Sequence, residues 1–141
     1  MSFMVAADLG IDLQQGGERA LFHWLVASFL MGKRIRTSTA IKTFHELLAA
    51  GVLDSPDSLS QASHRTLVVL LGRGGYARYD ESTARRLHAL AQRLMREQGS
   101  EVGRMIADRA GLEQQLLAFE GIGPGTARIF MNGLASAAGT L

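Results

Sequence analysis

Apolar residues recur along the chain at the three- to four-residue spacing of helices, and almost nowhere alternate as in a strand. The apolar runs follow Ser, Thr or Asp and end before Gly, as capped helices do. The pattern predicts an all-α fold. Helices are expected over residues 18–31, 56–62, 64–71, 102–109 and 112–119. Another helix is expected to have its cap at 37–39 and to end at 51, another to begin at 80 or 82 and end at 98, and the last to extend from Pro124 to about 134. Residues 68–71 could instead form a buried strand, although it would lack a partner.

These helices are expected to pack into one compact domain, a helical barrel or bundle, over residues 18–134. The first helix is apolar nearly all round, which places it in the centre of the core. Residues 1–17, which end in Gly16 and Gly17, are predicted to be an N-terminal arm. Residues 135–141 are small and polar, and are predicted to fray. A helical hairpin over residues 112–134 closes the domain.

Composition narrows the class of protein. The chain has 141 residues, 47% of them hydrophobic, and no Cys, so it can form one core but no disulfide, thiolate zinc site or iron–sulfur cluster. The longest apolar stretch, residues 20–31, is shorter than the roughly 20 residues of a membrane span. The first ten residues lack the positive charge of a signal peptide. We therefore expect a soluble cytoplasmic protein without a membrane partner.

Basic residues are concentrated in the middle of the chain. The net charge is +2, but residues 33–104 hold 12 of the 15 Lys and Arg and only 7 of the 13 acids. Most of the bases are Arg, which binds phosphate well, although a GC-rich genome also favours Arg. The longest predicted helix carries Arg85, Arg86, Arg93 and Arg96 opposite its apolar stripe. Such a stripe is either an ordinary solvated face, the slightly favoured interpretation, or a nucleic-acid contact.

A glycine-rich turn carries the clearest chemistry. Gly121 and Gly123 flank Ile122 between two amphipathic helices, and Pro124 suits the first position of the second helix. Glycines allow positive φ and leave no side chain over the turn, so the N–H groups at the helix start face outward. Those groups and the helix dipole favour a phosphate, while Ile122 is expected to point inward. The turn is therefore predicted to hold a DNA backbone without reading its sequence.

This segment resembles the helix-hairpin-helix motif of the endonuclease III-like DNA glycosylases; the matching residues are Phe119, Gly121, Ile122, Gly123, Thr126 and Ala127. The alternative is a plain helical hairpin with a glycine-rich turn. The resemblance covers residues 21–134 and implies DNA contacts at Gly121, Ile122, Gly123, Gly125 and Thr126. It also implies a wedge residue at Leu30 or Met31, phosphate contacts at Lys33, Arg34 and Arg36, and a second DNA-facing loop over 74–76. Arg78 is a further predicted DNA contact, and Tyr76 and Tyr79 on either side of it are the aromatics predicted to stack on a base.

The catalytic residues of that family are not found at the matching positions. Gly125 stands where the lyase members have Lys, and residues 135–141, where the family's Asp is expected, contain no acid. Asp80, Glu81 and Glu120 are poor replacements, so no catalytic residue is assigned. The resemblance implies a monovalent cation held by turn carbonyls and no other cofactor.

Double-stranded DNA, either intact or damaged, is thus the expected partner, which would place the protein on the nucleoid. One alternative is an active glycosylase or AP lyase whose acid comes from a partner chain or a C-terminal continuation. Another is a helical protein-interaction module, since residues 108–141 carry a net charge of −1. A second copy or another protein would then be bound. His23 and His45 are interpreted as core or boundary residues and His64 and His88 as surface residues, with no metal-ligand spacing.

Overall fold

Eight α-helices and one short 3-10 helix (Ala6–Leu9) make up most of residues 6–32, 35–76 and 78–138, the part of the chain that the computed structural model describes. The α-helices are α1 (Gly17–Met31), α2 (Thr37–Ala49), α3 (Pro56–Gln61), α4 (His64–Gly74), α5 (Asp80–Gln98), α6 (Val102–Ala107), α7 (Leu112–Leu117) and α8 (Pro124–Ala137). No strand occurs in these ranges, so the all-α class is confirmed. None of these helices is long and apolar enough to cross a membrane.

Helix α1 lies in the centre of the core, as its sequence predicts. Phe22, Trp24 and Phe29 are almost completely buried, and α1 packs against α2, α6 and α8. Helix α4 packs on α2 and α5, and α5 also covers α3. A helix that is apolar on every side is stable in water only when neighbours surround it.

Side-chain caps begin two helices as predicted. The Ser55 hydroxyl accepts from the Ser58 N–H at 3.1 Å at the start of α3, and the Ser63 hydroxyl accepts from the Thr66 N–H at 3.0 Å at the start of α4. The cap predicted for α2 among residues 37–39 is wrong. Those residues lie inside the helix, whose N-cap is Arg36, and no side chain caps it.

Helix α4 continues three residues beyond its predicted end, through Gly72 to Gly74. It stops at Gly75, whose φ of +112° favours glycine. A Cβ on Gly74 would lie 2.6 Å from the Thr43 Cβ of α2, so the glycine lets the two helices approach closely. This tertiary contact outweighs the poor helix propensity of glycine.

Both ends of the described chain are more ordered than predicted. Ala6, Leu9 and Ile11 are buried, so this part of the predicted arm belongs to the core. Residues 135–137, predicted to fray, continue α8. The Gln14 side-chain amide donates to the Ala137 carbonyl at 2.6 Å, which joins the N-terminal segment to the end of α8.

Candidate nucleic-acid interface

The predicted hairpin consists of α7, a turn over residues 118–123 and α8. Pro124 is the first residue of α8, as expected of a residue without an N–H. Gly121 has φ of +91°, which is strained for any L residue, and the Ile122 N–H donates to the Phe119 carbonyl at 3.1 Å. Phe119 and Ile122 are both 5% exposed, so Ile122 points inward as predicted and holds the turn against the core.

The internal packing of the protein does not require glycine at position 123 or 125. Gly123 has extended backbone, φ −100° and ψ −175°, which any residue adopts, and Gly125 lies in the first turn of α8. A Cβ added at either position would meet nothing within 4 Å. Of the two glycines that flank Ile122, only Gly121 has the positive φ that was expected. Nothing within the described part of the chain explains why Gly123 and Gly125 lack a side chain.

The start of α8 presents backbone donors next to these glycines. The first helical bond of α8 runs from the Ala127 N–H to the Gly123 carbonyl, at 3.0 Å. The Gly125 and Thr126 N–H groups precede it, and such groups have no partner within their helix. Gly125 is exposed. This end of a helix carries the positive end of the macrodipole, so it attracts anions.

The Thr126 side chain is buried and does not face a phosphate. It contacts the backbone of Gly32, because a Cβ on Gly32 would lie only 2.7 Å from the Thr126 Cβ. The predicted contact of this residue with DNA is therefore limited to its backbone N–H. The packing also explains Gly32, since only a glycine allows the end of α1 to come so close to the start of α8.

Two predicted DNA contacts are wrong because their side chains are buried. Tyr76, expected to stack on a base, is 1% exposed, and its hydroxyl donates to the Leu30 carbonyl at 3.1 Å. Burial raises the pKa of the Tyr76 phenol, so it stays a donor. Leu30, one of two predicted wedge residues, is completely buried in the core. Met31, the other, is half-buried at the end of α1.

Several of the remaining predicted contacts lie at the surface. Arg36 is exposed at the start of α2, and Arg78 is exposed before α5. Tyr79 is 56% exposed, so it, rather than Tyr76, is the accessible aromatic residue of this loop. Lys33 and Arg34 lie outside the described residues.

Three segments that are distant in sequence meet at the C-terminal end of α1. Gly32 contacts Thr126 at the start of α8, and Tyr76 holds the loop after α4 to Leu30. The end of α1, the loop before α5 and the hairpin are therefore neighbours. The sequence indicated each of these segments separately, but contained no signal that Tyr76 and Gly32 connect them.

The arginine stripe of α5 contacts the hairpin, and the sequence did not predict this contact. Arg85 Nη2 and Arg86 Nε each lie 3.5 Å from Glu120 Oε1. Arg93 Nη1 donates to the Ala118 carbonyl at 3.1 Å, and its guanidinium lies 5.4 Å from the centre of the Phe119 ring. Part of this stripe is thus a contact between α5 and the hairpin, rather than only a solvated face.

Two turn carbonyls already accept hydrogen bonds, which bears on the cation that the resemblance implies. The Phe119 carbonyl accepts from Ile122, and the Ala118 carbonyl accepts from the guanidinium of Arg93. A positive charge beside the carbonyls opposes a second cation. Each carbonyl oxygen keeps a second lone pair, however, so the cation that the resemblance implies stays a prediction. Within the described ranges, no group of three or more His, Asp and Glu could hold a metal ion.

The four histidines have different surroundings. His23 is buried, and its Nε2 pairs with the Leu53 carbonyl at 2.7 Å; burial lowers the pKa of its imidazole. His45, predicted to lie in the core or at its boundary, is instead exposed. His64 is exposed as predicted, and His88 is half-buried, with Nε2 hydrogen-bonded to the Ala62 carbonyl.

The chain matches no model of a known protein family, and no curated protein matches it in sequence. Any functional conclusion therefore depends on the residues of the chain and on the geometry of the hairpin.

Proposed function

We propose that this protein binds double-stranded DNA through the phosphate backbone, without reading the base sequence. The hairpin turn and the start of α8 hold one phosphate, and the basic segments beside them hold others. This is the role that the resemblance to the helix-hairpin-helix DNA glycosylases implies, and it would place the protein on the nucleoid. We propose binding rather than catalysis, because Gly125 stands where the lyase members have Lys.

The observation that carries the proposal is the pair of glycines, Gly123 and Gly125. An exposed glycine in a helix costs about 1 kcal/mol relative to Ala, and Gly125 has no internal contact that requires one. A phosphate that approaches the N–H groups of α8 would occupy the space that a Cβ at these positions would fill. Two bare positions beside unpaired helix-start donors are the arrangement that an anion site needs.

The surroundings of the turn support the same proposal. Arg78 lies in the loop that Tyr76 holds at the end of α1, Arg36 follows Gly32 by four residues in the sequence, and Arg128 lies one helical turn after Gly125; all three are exposed. Guanidinium groups spread around a backbone-amide site suit a chain of phosphates better than a single small anion.

The test measures duplex binding by fluorescence anisotropy with a short labelled duplex of ordinary sequence. The wild-type protein should bind, and its affinity should fall steeply between about 50 and 200 mM salt. Gly123→Val places a β-branched side chain over the turn, and the extended backbone at this position accommodates valine. Because each hydrogen bond to a charged group contributes about 1.5–3 kcal/mol, the variant should bind roughly tenfold to a hundredfold more weakly.

The matched control is Gly72→Val in α4. Gly72 is also exposed, and a Cβ there also meets nothing within 4 Å, but it does not belong to the proposed site. This variant should bind the duplex like the wild type. A folded Gly123→Val protein with unchanged affinity, checked by circular dichroism, would contradict the proposal, as would a wild-type protein that does not bind at low salt.

A further inference from the structure

One carboxylate lies between two arginines beside the hairpin turn. Glu120 Oε1 is 3.5 Å from both Arg85 Nη2 and Arg86 Nε. The side chains are well exposed, with relative accessibilities of 62% for Arg85, 36% for Arg86 and 52% for Glu120. These three residues form what we call the Glu120 cluster.

The Glu120 cluster contributes little to holding the fold together. Ion pairs with this exposure stabilise a protein by about 0–1 kcal/mol each, because water and salt screen them. Glu120 also caps no helix, since the C-cap of α7 is Ala118 and the N-cap of α8 is Gly123. The two guanidiniums can therefore exchange Glu120 for another anion at small cost.

The position of the cluster indicates which anion that is. Glu120 directly precedes Gly121, so both arginines lie beside the proposed phosphate site. A DNA strand carries one negative charge per 3.4 Å along its axis, so a strand held at the turn has further phosphates within a few ångströms of that site. A phosphate diester offers arginine the same acceptor oxygens as a carboxylate.

Arg93, the third arginine near the hairpin, differs from these two. It donates to the Ala118 carbonyl, lies against the Phe119 ring and pairs with Glu97 at 3.3 Å. Three contacts hold this side chain in place, and it braces the hairpin rather than facing solvent.

We propose that Arg85 and Arg86 are further phosphate-binding residues, and that Glu120 masks them in the free protein. DNA binding then exchanges one carboxylate for phosphate oxygens at both guanidiniums. The inference rests on the proposed function, and in it the Glu120 carboxylate competes with DNA phosphates for the two arginines. Glu120 would weaken binding to all DNA and reduce its dependence on salt.

The deciding variant is Glu120→Gln, tested in the same anisotropy assay. Removing the competing charge should strengthen duplex binding by about threefold to tenfold at low salt. The slope of log affinity against log salt should steepen by about 0.9, the value for one additional phosphate contact. Adding Arg85→Gln and Arg86→Gln to this variant should abolish the gain.

The matched control is Glu97→Gln, which makes the same change in charge. Glu97 also pairs with two arginines, Arg93 and Arg96, each at 3.3 Å. It lies about 16 Å farther along α5 than Arg86, at 1.5 Å per residue. Affinity should therefore stay close to that of the wild type.

The outcomes separate the two proposals. If the wild type binds DNA but Glu120→Gln binds no better than Glu97→Gln, the masking inference is wrong and the proposed function stands. Weaker binding by Glu120→Gln would identify Glu120 as a brace of the turn, which also overturns the inference. If neither the wild type nor any variant binds, the proposed function fails and the inference fails with it.

Discussion

Helix α8 contains two glycines with opposite surroundings, so one substitution should have opposite effects at the two positions. A Cβ on Gly125 would meet nothing within 4 Å. A Cβ on Gly133 would lie 2.5 Å from Trp24 Cζ2 and would contact two further atoms of the same indole. We predict that Gly133→Ala destabilises the protein and that Gly125→Ala stabilises it.

The cost at Gly133 follows from the packing of α8 on α1. Ordinary van der Waals contact begins at 3.4 Å, so the new methyl group forces the helices apart by about 1 Å. Trp24 is completely buried and cannot move aside, and its indole N–H donates to the Phe130 carbonyl at 3.0 Å. Overpacking costs about 1–3 kcal/mol and the strained hydrogen bond about 1 kcal/mol. The helix propensity of Ala returns up to about 1 kcal/mol, so the net loss is about 1–3 kcal/mol.

At Gly125 only the propensity contributes to stability. Replacement by Ala in an exposed first turn should raise the free energy of unfolding by about 0.5–1 kcal/mol. The same substitution should also weaken phosphate binding, because the methyl group occupies the space above the N–H groups of α8. Gly125→Ala should therefore be more stable than the wild type and bind DNA more weakly, which is typical of a glycine retained for function.

Urea unfolding at equilibrium measures both effects. Trp24 is the single Trp of the chain and lies in the affected contact, so its fluorescence reports on α1 and α8 directly. Circular dichroism provides the second probe of a two-state transition. The two variants should differ by about 1.5–4 kcal/mol in the free energy of unfolding, at unchanged m-value. A Gly133→Ala protein as stable as the wild type, or a destabilised Gly125→Ala protein, would refute the packing of α8 described above.

Two further predictions concern buried polar contacts. Because burial lowers the pKa of His23 below its ordinary value of 6.5, the unfolded chain takes up the proton first as pH falls, so the urea midpoint should drop below about pH 6.5. His23→Gln, whose amide can still donate to the Leu53 carbonyl, should flatten that drop; an unchanged pH profile would rule out His23 as its source. Glu18 accepts from the Val102 and Gly103 N–H groups at 2.7 and 2.6 Å, so Glu18→Ala should lower the free energy of unfolding by about 1.5–3 kcal/mol, which urea unfolding near pH 7 measures. A loss below about 0.5 kcal/mol would show that the carboxylate does not cap α6 in solution.

The positions of the helices follow from local features of the sequence. Their apolar spacing and their Ser, Pro and Gly boundaries are local signals, and the ends of α1, α3 and α5 lie within about a residue of the predicted positions. The inward direction of Ile122 and the place of Pro124 at the start of α8 follow from the same local rules. Local rules fail where a residue distant in sequence determines the end of a helix. Helix α4, for example, continues through two glycines because Thr43 of α2 packs against it.

Which residues of the candidate site reach the surface depends instead on how the helices pack together. Tyr76 and Leu30 have side chains suited to stacking and insertion, but both are buried, since the Tyr76 hydroxyl finds its acceptor on α1. The partners of Gly32 and Glu120 are likewise distant in sequence. Periodicity reports which face of a helix is apolar, but not which helix lies opposite it. The hydrogen bonds and steric limits that join those faces therefore appear only once the chain is folded.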